Sequence, residues 1–197
     1  MTHLKTEPNL IRAVSAAYRT RLKYSPWRAE FDVFLPLSTD RRLRVCTYQT
    51  FCERHGLSIQ DLLRSGASPD GFTIAKTLGG KNPLRWLILY NDDGRSQERK
   101  RFTIAHELGH VMLRHTEESE VNDAEADCFA RNLLTPALYA QENNLTFDKY
   151  PLLFGISKAA AHVAEKNYEL DLSLVTGAIR KEWETRLGEK ENRRDVI

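Results

Sequence analysis

Apolar residues recur at Leu10, Val14, Ala17 and Tyr18 within 9–22, the spacing of one helical face, and predict an amphipathic helix there. Phe31-Asp32-Val33-Phe34-Leu35 alternates apolar and polar like a short strand stopped by Pro36. Helices are expected at Tyr48–His55, ended by Gly56, and at Ser58–Arg64, capped by Ser58 and ended by Ser65-Gly66. Phe72–Ala75 and Leu84–Tyr90 read as strands, and Gly79–Pro83 between them carries turn chemistry, which suggests an antiparallel pair. After the break at Asn91–Gly94, the helical pattern runs from Phe102 to about His115 and again from about Asn122 to Leu134, where Pro136 ends it. Two more helices are expected at Ser157–Asn167 and Ser173–Leu187, with a fraying charged tail to Ile197. Helices, then a small antiparallel sheet, then helices, without βαβ alternation, make a mostly helical α+β fold.

Composition narrows the class. With 41% hydrophobic and 28% charged residues in 197, the chain can build a core, and a wholly disordered chain is excluded. The longest apolar run, Trp86–Tyr90, is far short of the ~20 residues that a bilayer demands, so no membrane partner is expected. Lys and Arg total 29 against 27 acidic residues, a net charge of +2, which implies no dedicated nucleic-acid surface. The clusters Arg41, Arg42, Arg44 and Arg95, Arg99, Lys100, Arg101 read as solvated faces. Met1–Lys5 contains no apolar signal core. Three cysteines, Cys46, Cys52 and Cys128, form no CxxC and suggest free thiols in a reducing cytoplasm.

The chemistry concentrates at His106-Glu107-Leu108-Gly109-His110, an HExxH motif. Four residues apart on a helix, both imidazoles face one way and can grip one metal ion, while Glu107 can act as base toward a metal-activated water. Neutral imidazoles suit zinc, and a catalytic site takes a third protein ligand while keeping one position open. His115, five residues beyond His110, falls on a different part of the helix; it reads as a partner of a ligand or as merely exposed, and is left outside the site.

The third ligand is sought in Asn122-Asp123-Ala124-Glu125-Ala126-Asp127. Asp123 and Asp127 are four apart and share a face, whereas Glu125 lies about 200° round from Asp123. One carboxylate can bind metal directly while another orients a histidine through its second nitrogen. Asn122 with Glu125 also has the spacing of a capping box, so either Asp123 or Glu125 remains open as the ligand.

Arg101–His110, followed by Ala124-Glu125-Ala126-Asp127-Cys128-Phe129-Ala130-Arg131-Asn132-Leu133-Leu134-Thr135-Pro136, resembles the ImmA/IrrE metallopeptidases; Leu89-Tyr90-Asn91 and Phe154–Ser157 also fit. The close resemblance covers about 85–136. It implies a zincin-like fold with His106 and His110 on zinc, Glu107 as catalytic base and Asp127 as the orienting residue. The family's third ligand, a glutamate, falls on Asp123, one methylene shorter, so the helix must approach by about an ångström. Thr135 replaces the family's usual methionine, a packing change. On this reading residues 1–137 form the metallopeptidase domain and 138–197 a helical extension.

The resemblance further implies a cytoplasmic zinc endopeptidase that cleaves a helix-turn-helix repressor controlling a mobile element, phage or stress response. The alternative is a non-cleaving anti-repressor or antitoxin-like binding module that retains the zinc site. Direct DNA binding through Phe154–Val163 is disfavoured, because that segment offers mainly Lys158 and His162 for base reading, and its alanines suit packing. Tyr90, Tyr139, Tyr150 and Arg131 stand unranked as oxyanion donors.

Overall fold

The computed structural model describes residues 7–25, 28–76, 85–117 and 119–194, with side chains to residue 186. Helix α1 (Leu10–Tyr24) starts where Asn9 accepts the Arg12 N–H, and packs its Ala13, Val14, Ala17 and Tyr18 face into the core. The alternation at Phe31–Leu35 is a turn leading into α2 (Phe34–Thr39) rather than a strand. Phe31 and Val33 are core anchors, the Asp32 carboxylate accepts the Phe34 N–H, and Pro36 is tolerated in a first helical turn.

An unanticipated strand, β1 (Leu43–Thr47), follows, its pattern obscured by the flanking arginines. It leads into α3 (Tyr48–His55), ended by left-handed Gly56, and α4 (Ile59–Arg64), where Ser58 and Asp61 form a capping box. Strands β2 (Gly71–Lys76) and β3 (Arg85–Tyr90) pair antiparallel as expected. The expected turn at Gly79–Pro83, and Leu84, lie outside the described residues. β1 pairs with β3 in parallel, so the sheet is mixed rather than purely antiparallel, in the order β1-β3-β2 with β2 at an edge. Period-two alternation along β3 sends Trp86 and Ile88 into the main core, and Leu87 and Leu89 toward Tyr48, Cys52 and Leu62.

Ser96 caps α5 (Gln97–Leu113), five residues earlier than the apolar pattern alone marks. Ser119, not Asn122, caps α6 (Glu120–Leu134): its hydroxyl accepts the Asn122 N–H, which removes the capping role read for Glu125. α6 packs between α5 and α1. Beyond Pro136 come α7 (Ala137–Glu142), a 3-10 turn (Phe147–Lys149), α8 (Tyr150–Phe154), α9 (Lys158–Ser173) and α10 (Gly177–Arg194). The last helix is assigned to Arg194, beyond the Leu187 expected from the pattern, and 195–197 lie outside the described residues.

The core is continuous from α1 to α10, where the rings of Tyr18 and Trp183 meet edge to face at 5.4 Å. Two arginines serve it. Arg21, fully buried, donates to the carbonyls of Arg28, Ala29 and Leu133. Arg101, read as solvated, instead donates to the carbonyls of Phe31, Phe154 and Gly155, tying α5 to the segments before α2 and after α8. Cys46, Cys52 and Cys128 are free thiols. No helix among the described residues is long and apolar enough to cross a membrane.

Candidate metal centre

Helical spacing stacks His106 and His110 on one face of α5, and a close helix contact brings α6 to them. At Gly109, between the two, an added Cβ would stand 3.1 Å from the Ala126 Cα and from Phe129 Cδ1. Glycine against alanine lets the two backbones approach, and this approach presents Asp123 and Asp127 to the imidazoles.

His106 and His110 turn their Nε2 atoms toward each other at 3.0 Å, and Asp123 Oδ1 lies 3.6 Å from His110 Nε2. One ligand atom from each of the three falls within 4.8 Å of the others. The opposite ring nitrogens are engaged: His106 Nδ1 meets Asp127 Oδ1 at 2.8 Å, and His110 Nδ1 meets His115 Nδ1 at 3.1 Å. A tetrahedral first-row ion places two imidazole nitrogens about 3.3 Å apart, so two nitrogens and a carboxylate at this spacing fit a divalent metal.

The two histidines differ electrostatically. Burial works against the charged form of His106, but the hydrogen bond it donates to Asp127 and the nearby carboxylates outweigh it and hold its pKa above the ordinary 6.5. Burial, then the neighbouring His106 and His115 rings, push His110 down to about 4. His110 therefore offers a lone pair across the neutral range, while a proton competes with metal at His106.

Glu107 lines the same cleft, a cavity of about 560 Å³ between β2 and the two helices. Its carboxylate accepts the Thr73 hydroxyl from β2 at 2.8 Å. Gly71 lets β2 come this close, since a Cβ there would meet Thr103 Cγ2 at 2.5 Å and Leu89 O at 3.0 Å.

Of the residues singled out in the sequence, His106, His110 and Asp123 converge, with Glu107 and Asp127 beside them. Glu125 does not join them: it turns toward α1 and accepts the Asn9 N–H at 2.8 Å. None of Tyr90, Tyr139, Tyr150 and Arg131 lines the cleft. Of the residues that touch these groups, Thr73 escaped the sequence reading and His115 was left out of the site. Thr73 left no mark in the pattern beyond its place on a strand. His115 is a partner of His110 and is not exposed, because α5 ends before it: Arg114 is left-handed (φ 56°) and folds His115 back beneath His110.

A family model described as Peptidase M78, IrrE N-terminal-like domain, matches residues 52–164, from α3 into α9 and more than half of the chain. The match is wider than the 85–136 over which the resemblance is close. No curated protein matches the chain.

Proposed function

The chain belongs to the Peptidase M78 family, IrrE N-terminal-like and a family of metallopeptidases, and on that premise we propose that it is a zinc-dependent endopeptidase acting on a helix-turn-helix repressor in the cytoplasm. The observation that carries the reading is the convergence of His106 Nε2, His110 Nε2 and an Asp123 carboxylate oxygen beside Glu107 in one cleft. Two imidazoles and one carboxylate are a zinc donor set that leaves a fourth position open. Bound there, zinc supplies Lewis-acid polarisation of the scissile carbonyl and of a water.

The protein's own groups do the rest. Glu107 accepts the water's proton and passes it to the leaving amine, while Thr73 fixes the orientation of its carboxylate. Asp127 anchors the His106 ring with Nε2 facing the metal position. β2 offers its outer edge beside the cleft, where an extended peptide can add as a strand. Asp127 also lines a second cavity of about 610 Å³, and Phe102, Leu134, Ile156 and Val163 suit it to an apolar side chain flanking the cut bond.

Repressor cleavage rests on the family resemblance, and the cytoplasmic setting on the three free cysteines. The test is incubation of zinc-loaded protein with candidate repressors, beginning with any helix-turn-helix protein encoded beside it, and sequencing of new N-termini. Fragments with one defined terminus support the reading. A repressor bound stoichiometrically but left intact means the non-cleaving binding module instead.

A further inference from the structure

We infer that His115 and Glu125 form a positioning device that fixes the tautomer of His110, turning a bare Nε2 toward the metal. The inference rests on the metal reading above and extends it to two residues outside the ligand set.

The two metal-facing histidines are supported differently. His106 has a carboxylate, Asp127, directly on its Nδ1 at 2.8 Å. His110 has another imidazole there, with the Nδ1 atoms of His110 and His115 3.1 Å apart, and a carboxylate only one step further on, where His115 Nε2 meets Glu125 Oε2 at 3.1 Å. A neutral imidazole carries one proton, and two facing nitrogens share one. If His110 Nδ1 holds that proton, His115 accepts it at Nδ1 and keeps its own proton on Nε2, where the Glu125 carboxylate accepts it. Both contacts of His115 are then satisfied, and His110 Nε2 keeps its lone pair. In the reverse order His115 Nε2 would set a lone pair against a carboxylate, and His110 Nε2 would carry a proton where the metal belongs. A carboxylate accepts only, so Glu125 selects the first arrangement.

The carboxylate is itself held. The side chains of His115 and Glu125 are only 5% and 6% exposed, and a buried carboxylate without partners is costly. Its other oxygen accepts the Asn9 N–H at 2.8 Å, and the Arg12 guanidinium lies 3.6 Å from Oε2. Arg12 also donates to the carbonyl of Leu113, the last residue of α5, beside the left-handed turn that reverses the chain. After that turn the His115 N–H returns to the His110 carbonyl at 2.9 Å. The start of α1 thus braces the far end of the relay.

The test titrates Co²⁺ into the full-length wild type, His115→Phe and His115→Gln, following the visible absorption bands. Long-range ¹H–¹⁵N spectra of the metal-free proteins report the His110 tautomer. Phenylalanine keeps the ring and removes both nitrogens; glutamine restores one acceptor and one donor. His115→Phe is expected to weaken cobalt binding about 10–100-fold, to shift the bands, and to lose the preference for the Nδ1–H tautomer, with His115→Gln recovering most of each. Circular dichroism confirms folding, and if His115→Phe fails to fold, His115→Gln and Glu125→Gln carry the comparison on the same readouts. A wild type that binds cobalt, with folded variants unchanged in affinity, bands and tautomer, overturns this inference alone. A wild type that binds no cobalt overturns the metal reading and this inference with it.

Discussion

Thr73 donates its hydroxyl proton to Glu107 Oε2 across 2.8 Å, joining edge strand β2 to the helix that carries the HExxH motif. The strand that borders the cleft therefore also orients the proposed base. Thr73→Val keeps the side-chain shape and removes the donor. A hydrogen bond to a charged group contributes about 1.5–3 kcal/mol, so kcat is expected to fall about tenfold or more. Zinc content and KM should hardly change, and Thr73→Ser should recover most of the rate. Steady-state kinetics beside metal analysis checks it; an unchanged kcat contradicts the role.

Gly109 against Ala126 sets the separation of α5 and α6. Gly109→Ala would place a methyl 3.1 Å from the Ala126 Cα, against backbone that cannot rotate away. Alanine gains about 1 kcal/mol of helix propensity, but overpacking costs about 1–3 kcal/mol, so a net loss of about 1 kcal/mol is expected. Metal affinity should fall as Asp123 withdraws. Thermal unfolding and a chelator titration on the same samples test both parts.

Asp123 and Glu125 separate by what they touch. Asp123→Ala should abolish zinc binding at concentrations where Glu125→Ala, which reaches the metal position through His115, loses about 10–100-fold. Asp123→Glu should bind as well as wild type or better, because it restores the longer ligand of the family. Competition with a chromophoric chelator distinguishes the three; normal binding by Asp123→Ala moves the third ligand elsewhere.

The two histidines set opposite pH slopes on the stability of the metal-free protein. His110, depressed to about 4 by burial and its histidine neighbours, contributes stability that is present above 6.5 and lost as pH falls toward 4. His106 is buried, but the Asp127 hydrogen bond wins and raises its pKa; its contribution is present below 6.5 and lost as pH rises through the folded value. So far as these two residues decide it, stability peaks near 6.5. Melting temperatures from about pH 4 to 8 should show the peak, and Asp127→Asn should flatten its alkaline side.

The HExxH helix was legible because its signal is local: spacing, an apolar face and a family motif all lie within one element. The capping of α4 by Ser58 was legible for the same reason. Misreadings arose where two local signals compete or where the third dimension decides. Ser119 and Asn122 are both good caps one turn apart, and choosing the wrong one gave Glu125 a role it does not have. Phe31 and Val33 alternate because both anchor a turn, not because they lie on a strand. Arg101 reads as solvated beside Arg99 and Lys100, yet it reaches three carbonyls brought together only by the fold. Whether His115 partners a ligand or is exposed depended on a left-handed arginine, a conformation that no residue type there announces.

Glu107 is the residue on which the account turns. The direct measurement compares zinc-loaded wild type with Glu107→Gln, matched for metal content and melting temperature, on a proteome-derived peptide library, with new N-termini read by mass spectrometry. The amide cannot take the water's proton, so the wild type should generate new termini and Glu107→Gln should generate none above background. The same termini at the same rate from both proteins, or none from the wild type on the library or on any candidate repressor, would contradict the peptidase account.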